Sequence, residues 1–168
     1  MAHTVLIVDD SGLMRNTIRQ IIAVDPELEV IGEAEDGMVA LERMRALKPE
    51  VVLLDIEMPK LDGIGVLKRA RLTSSAKVII LSSLAQLGSP QALEARRIGA
   101  AEVIAKPSGT ISLDLKAKRG SDILRAVRNV LGMPPLDINA AAAHRARVQR
   151  DGAHGDRADR DVADRNGE

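Results

Sequence analysis

The stretch Val51-Val-Leu-Leu-Asp55-Ile-Glu-Met-Pro59 decides how this chain reads. Four consecutive apolar residues suit a strand covered on both faces, where no polar alternation is needed. Asp55 closes that run. Pro59 and the following Leu61-Asp-Gly63 mark a loop that opens the next helix. An acid at the end of a buried strand is the point from which the rest of the sequence can be worked out.

On either side the same alternation recurs. Val5-Leu-Ile-Val8 is a short apolar strand that ends at Asp9 and Asp10. Leu13 to Val24 is an amphipathic helix carrying Leu13, Ile18, Ile21 and Ile22. Leu28 to Ala34 reads as a strand. Met38 to Leu47 reads as a helix with Met38, Leu41, Met44 and Leu47 on one face, stopped by Pro49. Ile64 to Leu72 is helical, and Val78-Ile-Ile-Leu81 is a buried strand ending at Ser82 and Ser83. Gln91 to Ile98 is a helix stopped at Gly99. Val103 to Ala105 is a strand ending at Lys106-Pro107. Asp122 to Leu131 is the last helix, stopped by Gly132 and Pro134-Pro135. Five β-α units predict an α/β, doubly wound (βα)5 fold. Its parallel sheet takes the flavodoxin-like order 2-1-3-4-5. The domain is expected over 1–132. Residues 133–168 are expected to be a linker and a disordered tail, because 151–168 carry almost no apolar content.

Composition excludes several classes. The chain has 168 residues, 45% of them hydrophobic, but no Phe, Tyr or Trp. The core must be aliphatic, and stacking on a flavin, nucleobase or sugar has no platform. Net formal charge is zero, so a broad grip on nucleic acid is not expected. Without Cys there is no disulfide, thiol nucleophile or thiolate metal site. No apolar run approaches the ~18–20 residues of a membrane span. The opening apolar run is too short for a secretion signal. A cytoplasmic location is expected.

Ligands of a parallel sheet bind beyond the carboxyl ends of its strands. Asp9, Asp10, Asp55, Ser82 and Lys106 all fall at such ends. Each alone has an ordinary reading as a cap or a turn residue. Their convergence on one edge does not. Three crowded carboxylates call for a divalent cation, and oxygen ligands suit Mg2+. Asp55 can then attack an activated phosphoryl group, with Lys106 neutralising charge and Ser82 donating a hydrogen bond. The turn after Asp55 offers the Glu57 carbonyl to the same cation.

From Thr4 to about Leu131 the sequence resembles the response-regulator receiver family. The resemblance rests on Val8-Asp-Asp-Ser11, Leu54-Asp-Ile-Glu-Met-Pro59, Asp62-Gly63, Ser82, Gly99-Ala100 and Lys106-Pro107. It implies phosphorylation of Asp55 by a histidine kinase with Mg2+. It assigns metal contacts to Asp10, Asp55 and the Glu57 carbonyl, with Asp9 in the acidic pocket. It assigns the switch hydroxyl to Ser82 and phosphoryl pairing to Lys106. Val8 to Arg15, Leu81 to Leu84, Ala105 to Ser108 and Ile111 to Asp114 further resemble the receiver half of the chemotaxis methylesterases. The methylesterase half is not expected in this chain. A stand-alone, non-enzymatic receiver is expected, without a DNA-binding domain, that signals by phosphorylation-dependent binding to a downstream protein.

One position departs from the family. Receivers usually carry an aromatic residue three positions before the lysine, and here that position is Val103. Its smaller, χ1-restricted side chain cannot make the aromatic swing. This leaves room for a phosphate sink or relay with no output face. An aspartyl-phosphate phosphohydrolase, with Glu57 as second acid, is a further alternative from the enzyme class.

Overall fold

Five parallel strands pair in the order β2-β1-β3-β4-β5, as the sequence implies. They are β1 (His3–Val8), β2 (Leu28–Ala34), β3 (Val51–Asp55), β4 (Lys77–Ser82) and β5 (Glu102–Ala105). The helices are α1 (Gly12–Ile22), α2 (Gly37–Leu47), α3 (Gly63–Thr73), α4 (Pro90–Ile98) and α5 (Leu113–Val130). This computed structural model describes residues 2–83, 86–107 and 113–136, without side chains for 113–119. The tail expected over 137–168 lies outside the described residues. The described unit continues past Gly132, with Met133 and Leu136 packed against the core.

Strand periodicity splits the core in two, because successive side chains face opposite sides of the sheet. Leu6, Val8, Val52, Leu54, Val78 and Ile80 join Ala40, Met44, Val66 and Leu67 on one face. Val5, Ile7, Val51, Leu53, Ile79 and Leu81 join Ile18, Ile22, Ile123 and Val127 on the other. Both clusters are wholly aliphatic. Ser11, Asp36, Asp62 and Ser89 cap the first four helices, each accepting from backbone N–H groups of the first turn.

Several helix faces differ from expectation. Leu13 is 79% exposed; Met14, Ile18, Ile21 and Ile22 face the core instead. On α2, Met38 is 52% exposed and Leu47 also faces solvent, whereas Gly37, Ala40 and Met44 are buried. The reason is close approach. A Cβ on Gly37 would collide with the Leu61 carbonyl and lie 2.7 Å from the Leu61 Cβ. The small residues of α2 therefore turn inward. Leu72 is exposed at the end of α3. Helix α5 starts at Leu113 rather than Asp122. Lys116, Lys118, Arg119 and Gly120 mask its apolar pattern in the sequence. Gly120 in fact lies against Ile21, 3.3 Å from where its Cβ would stand.

A buried ion pair fastens the amino-terminal edge of the sheet. Arg128 of α5 is 4% exposed and lies 2.6 Å from Oδ2 of buried Asp25 in the loop after α1. Its Nε donates to the Pro134 carbonyl at 2.6 Å, and its Nη2 pairs with Glu27 at 2.9 Å. One guanidinium thus joins α5, the α1–β2 loop and the segment after α5. Removing one partner of such a pair leaves a buried, uncompensated charge and costs about 3–5 kcal/mol. Arg128→Ala is expected to lower stability on that scale, measured by urea unfolding. Asp25→Asn is expected to cost less, because the guanidinium it leaves behind still pairs with Glu27 and bonds the Pro134 carbonyl.

Candidate functional site: a carboxylate pocket at the sheet edge

The carboxyl ends of β1, β3, β4 and β5 build one pocket. Asp9 directly follows β1 and is fully buried. Its Oδ1 accepts the Ser11 N–H at 2.9 Å. Its Oδ2 has the Lys106 ammonium at 3.1 Å but accepts no well-directed hydrogen bond among the described residues. Asp10, the next residue, is exposed. Asp55 ends β3 and is 2% exposed. Its Oδ1 accepts the Glu57 N–H at 3.1 Å, and its Oδ2 lies 2.9 Å from Lys106 Nζ. One oxygen from each of Asp9, Asp10 and Asp55 lies within 4.8 Å of the others.

Register supplies the remaining groups. Asp55 stands opposite Leu81 on β4, and Ser82 stands opposite Ala105 on β5. Ser82 is buried at the end of β4, and its Oγ donates to the Ser83 carbonyl over a long 3.3 Å. The Lys106 N–H donates to the Ser82 carbonyl at 2.8 Å, which fixes the lysine's backbone at the rim. Asp9, Asp10, Asp55, Ser82 and Lys106 therefore gather at one edge. Glu57 stands beside Asp55 through its own N–H.

Burial is the largest influence on Asp55 and pushes its carboxyl up to about 6. The Lys106 hydrogen bond pulls the other way, Asp9 adds to the rise, and the Glu57 N–H opposes it. Burial lowers Lys106, but its bonds to Asp55 and Asp9 outweigh that and leave it raised. The lysine is therefore cationic. An oxygen-only donor set, open to solvent through Asp10 and holding an under-bonded buried oxygen on Asp9, fits a hard divalent cation.

Two supports of this site carried no role in the sequence reading. Arg15 on α1 donates to the Asp9 carbonyl at 2.7 Å, bracing the turn after β1. Its place on the first turn of α1 was legible, but its target was not. Lys60 pairs with Asp36 at 3.3 Å across the top of α2. Nothing in their spacing signals that contact.

The comparisons with known proteins agree with the geometry. The family model described as response regulator receiver domain matches residues 5–118. This chain belongs to that family. It is 52% identical over 111 residues to a protein-glutamate methylesterase/protein-glutamine glutaminase of Syntrophomonas wolfei, covering 66% of this chain and 32% of the relative. The receiver thus spans about a third of that relative's length. The crystal structure of the response regulator domain of Thermotoga maritima CheB matches with a TM-score of 0.71 and 39% identity, over 80% of this chain and all of that one. The complex of the CheA3 P1 domain with CheY6 from R. sphaeroides matches with a TM-score of 0.65 and 40% identity, over 77% of this chain and 97% of that one.

The raised pKa of Asp55 has a direct consequence for this receiver. The native state holds its proton up to about 6, whereas an unfolded aspartate releases it near ~3.9. Stability is lost as pH rises between those values, and the whole penalty applies above the upper one. In metal-free buffer Asp55→Asn is expected to raise Tm at pH 7–8, with the gain vanishing near pH 4. Thermal unfolding across that range measures it. An unchanged Tm at pH 8 would contradict the assigned strain.

Proposed function

We propose that this receiver accepts a phosphoryl group on Asp55 from a histidine kinase, uses Mg2+, and signals by phosphorylation-dependent binding to another protein. The observation that carries the reading is the placement of Asp55. It is a buried acid with one oxygen on a lysine and two further carboxylates beside it. The CheY6 relative, crystallised with the CheA3 P1 domain, supports a kinase as donor. The methylesterase relatives support a chemotaxis pathway. The proposed location is the cytoplasm, where such a kinase keeps its phosphodonor. Among the described residues no helix is long and apolar enough to cross a membrane. The chain acts as phosphoacceptor, not as a turnover enzyme.

Asp10, Asp55 and the Glu57 carbonyl would hold Mg2+, with Asp9 shaping the acidic pocket. When bound, the ion neutralises negative charge on the phosphoryl oxygens. The protein's own groups do the rest. An ionised Asp55 oxygen forms the new O–P bond as the donor's P–N bond breaks, and the electron pair leaves on the imidazole nitrogen. The Glu57 N–H orients the carboxylate by bonding Oδ1. Lys106, already 2.9 Å from Oδ2, transfers its contact to a phosphoryl oxygen. The weak Ser82 bond to the Ser83 carbonyl is easily given up for a phosphoryl oxygen. The product carries roughly −1.5 to −2 charges where the carboxylate carried one, a net gain of at most about one negative charge at the rim. Coupling of ~1–3 kcal/mol then shifts a population of conformers.

Val103 favours a second reading. It is buried, and its carbonyl accepts from Arg96 of α4 at 3.4 Å. The aromatic swing is unavailable, so a phosphate sink without an output face fits as well. Hydrogen exchange with and without beryllofluoride separates the two readings. Changes on α4 and β5 support output; changes confined to the pocket support a sink.

With acetyl phosphate and Mg2+, wild type is expected to gain the mass of one phosphoryl group. Asp55→Asn is expected to gain none, and Lys106→Met to label at least about tenfold more slowly. Without the cation Asp55 holds its proton up to about 6, so the Mg2+ concentration needed for half-maximal labelling is expected to rise as pH falls below that value. Label retained in Asp55→Asn would remove Asp55 from its role.

A further inference from the structure

Lys60 is one of two non-glycine residues with positive φ among those described. The other, Lys48, is the left-handed C-cap of α2, an ordinary place for that conformation. Lys60, at φ 66°, sits in the loop that follows Asp55. A long side chain is disfavoured there, where glycine or asparagine would be easier. Something must hold it.

The start of α2 supplies the hold. Asp36 is buried at the N-cap, and its two oxygens are divided between two tasks. Oδ1 accepts the N–H groups of Met38 and Val39 at 2.9 and 3.0 Å. Oδ2 takes the Lys60 ammonium at 3.3 Å. The next residue, Gly37, lies so close to Leu61 that a Cβ would strike its carbonyl. The N-cap and the first residue of α2 therefore grip two consecutive residues of the loop. The loop's ends are fixed independently. Glu57 bonds Asp55 at one end, and the Gly63 N–H bonds the Ile56 carbonyl at 3.1 Å at the other. A Cβ on Gly63 would lie 2.5 Å from the Asp55 carbonyl, so movement of the loop is transmitted to the β3 end.

We propose that the Asp36–Lys60 pair is a positioning clamp that holds the β3–α3 loop so that the Glu57 N–H stays on Asp55. The inference rests on the reading of Asp55 as phosphoacceptor for its kinetic consequence, though not for its structural one. The clamp touches neither the phosphoryl group nor the reacting carboxylate. It acts through the loop, by keeping Oδ1 of Asp55 bonded and Oδ2 directed at Lys106.

Three variants isolate it. Asp36→Asn keeps the oxygen that caps α2 and replaces the one that receives Lys60. Lys60→Met keeps the aliphatic stem and removes the charge. Lys60→Arg restores a cation. In the free protein, the amides of Glu57, Met58, Lys60 and Leu61 are expected to exchange with deuterium faster in Asp36→Asn and Lys60→Met, and near the wild-type rate in Lys60→Arg. With acetyl phosphate and Mg2+, each of the two disabling variants is expected to label roughly two- to fivefold more slowly, the scale of a half-exposed ion pair. The double variant is expected to be no slower than either single one, and Lys60→Arg to recover most of the rate. Unchanged exchange at these four amides, or losses that add in the double variant, would overturn the clamp. If wild type itself takes no label, the phosphoacceptor reading fails, and the exchange measurements alone then decide for or against the clamp.

Discussion

One ammonium facing a crowd of carboxylates governs this structure. Lys106 reaches both Asp9 and Asp55, while Asp10 brings a third acid to the same few ångströms. Lys106 thus serves two buried acids with a third at their side, in a setting where burial strengthens every like-charge repulsion. The pocket tolerates this only because the strand ends hold the groups in register and because solvent reaches Asp10. The raised pKa of Asp55 records its burial first and the nearness of Asp9 after it. A site that is short of positive charge has a use for more, whether carried by a cation or by a rearranged lysine. Stability is conceded at the point where function needs it.

The remainder of the fold relieves this arrangement of other duties. Both aliphatic clusters lie on the sheet faces, away from the acidic rim. The Arg128–Asp25 pair ties down the opposite edge. Support for the reactive loop comes instead from α2, whose inward-facing glycine admits Leu61.

The strands and the acid cluster were legible because each strand is an unbroken apolar run closed by a polar residue. Val51 to Asp55 and Val78 to Ser82 show this plainly. The helices were less legible. Leu13, Met38 and Leu72 have the size and polarity of core residues, yet they face water, and small residues such as Gly37 and Ala40 take the inside. Size misleads wherever a helix lies close to its neighbours. The beginning of α5 was hidden by lysines and arginine that leave too few apolar positions to show a period. Pairings between distant positions were out of reach. Arg128 and Asp25 stand 103 positions apart, and Asp36 and Lys60 stand 24 apart. Either pair, read in the sequence, is two unrelated surface charges.

The aliphatic core has an optical consequence. With no indole or phenol ring anywhere, the protein absorbs almost nothing at the wavelengths ordinarily used to weigh and watch proteins, and it has no tryptophan emission. A single tryptophan placed beside the pocket would glow against a dark background. Methyl resonances, spared from ring currents, would report on packing alone. The same composition that denies the protein a swinging aromatic makes it an unusually quiet host for an introduced one.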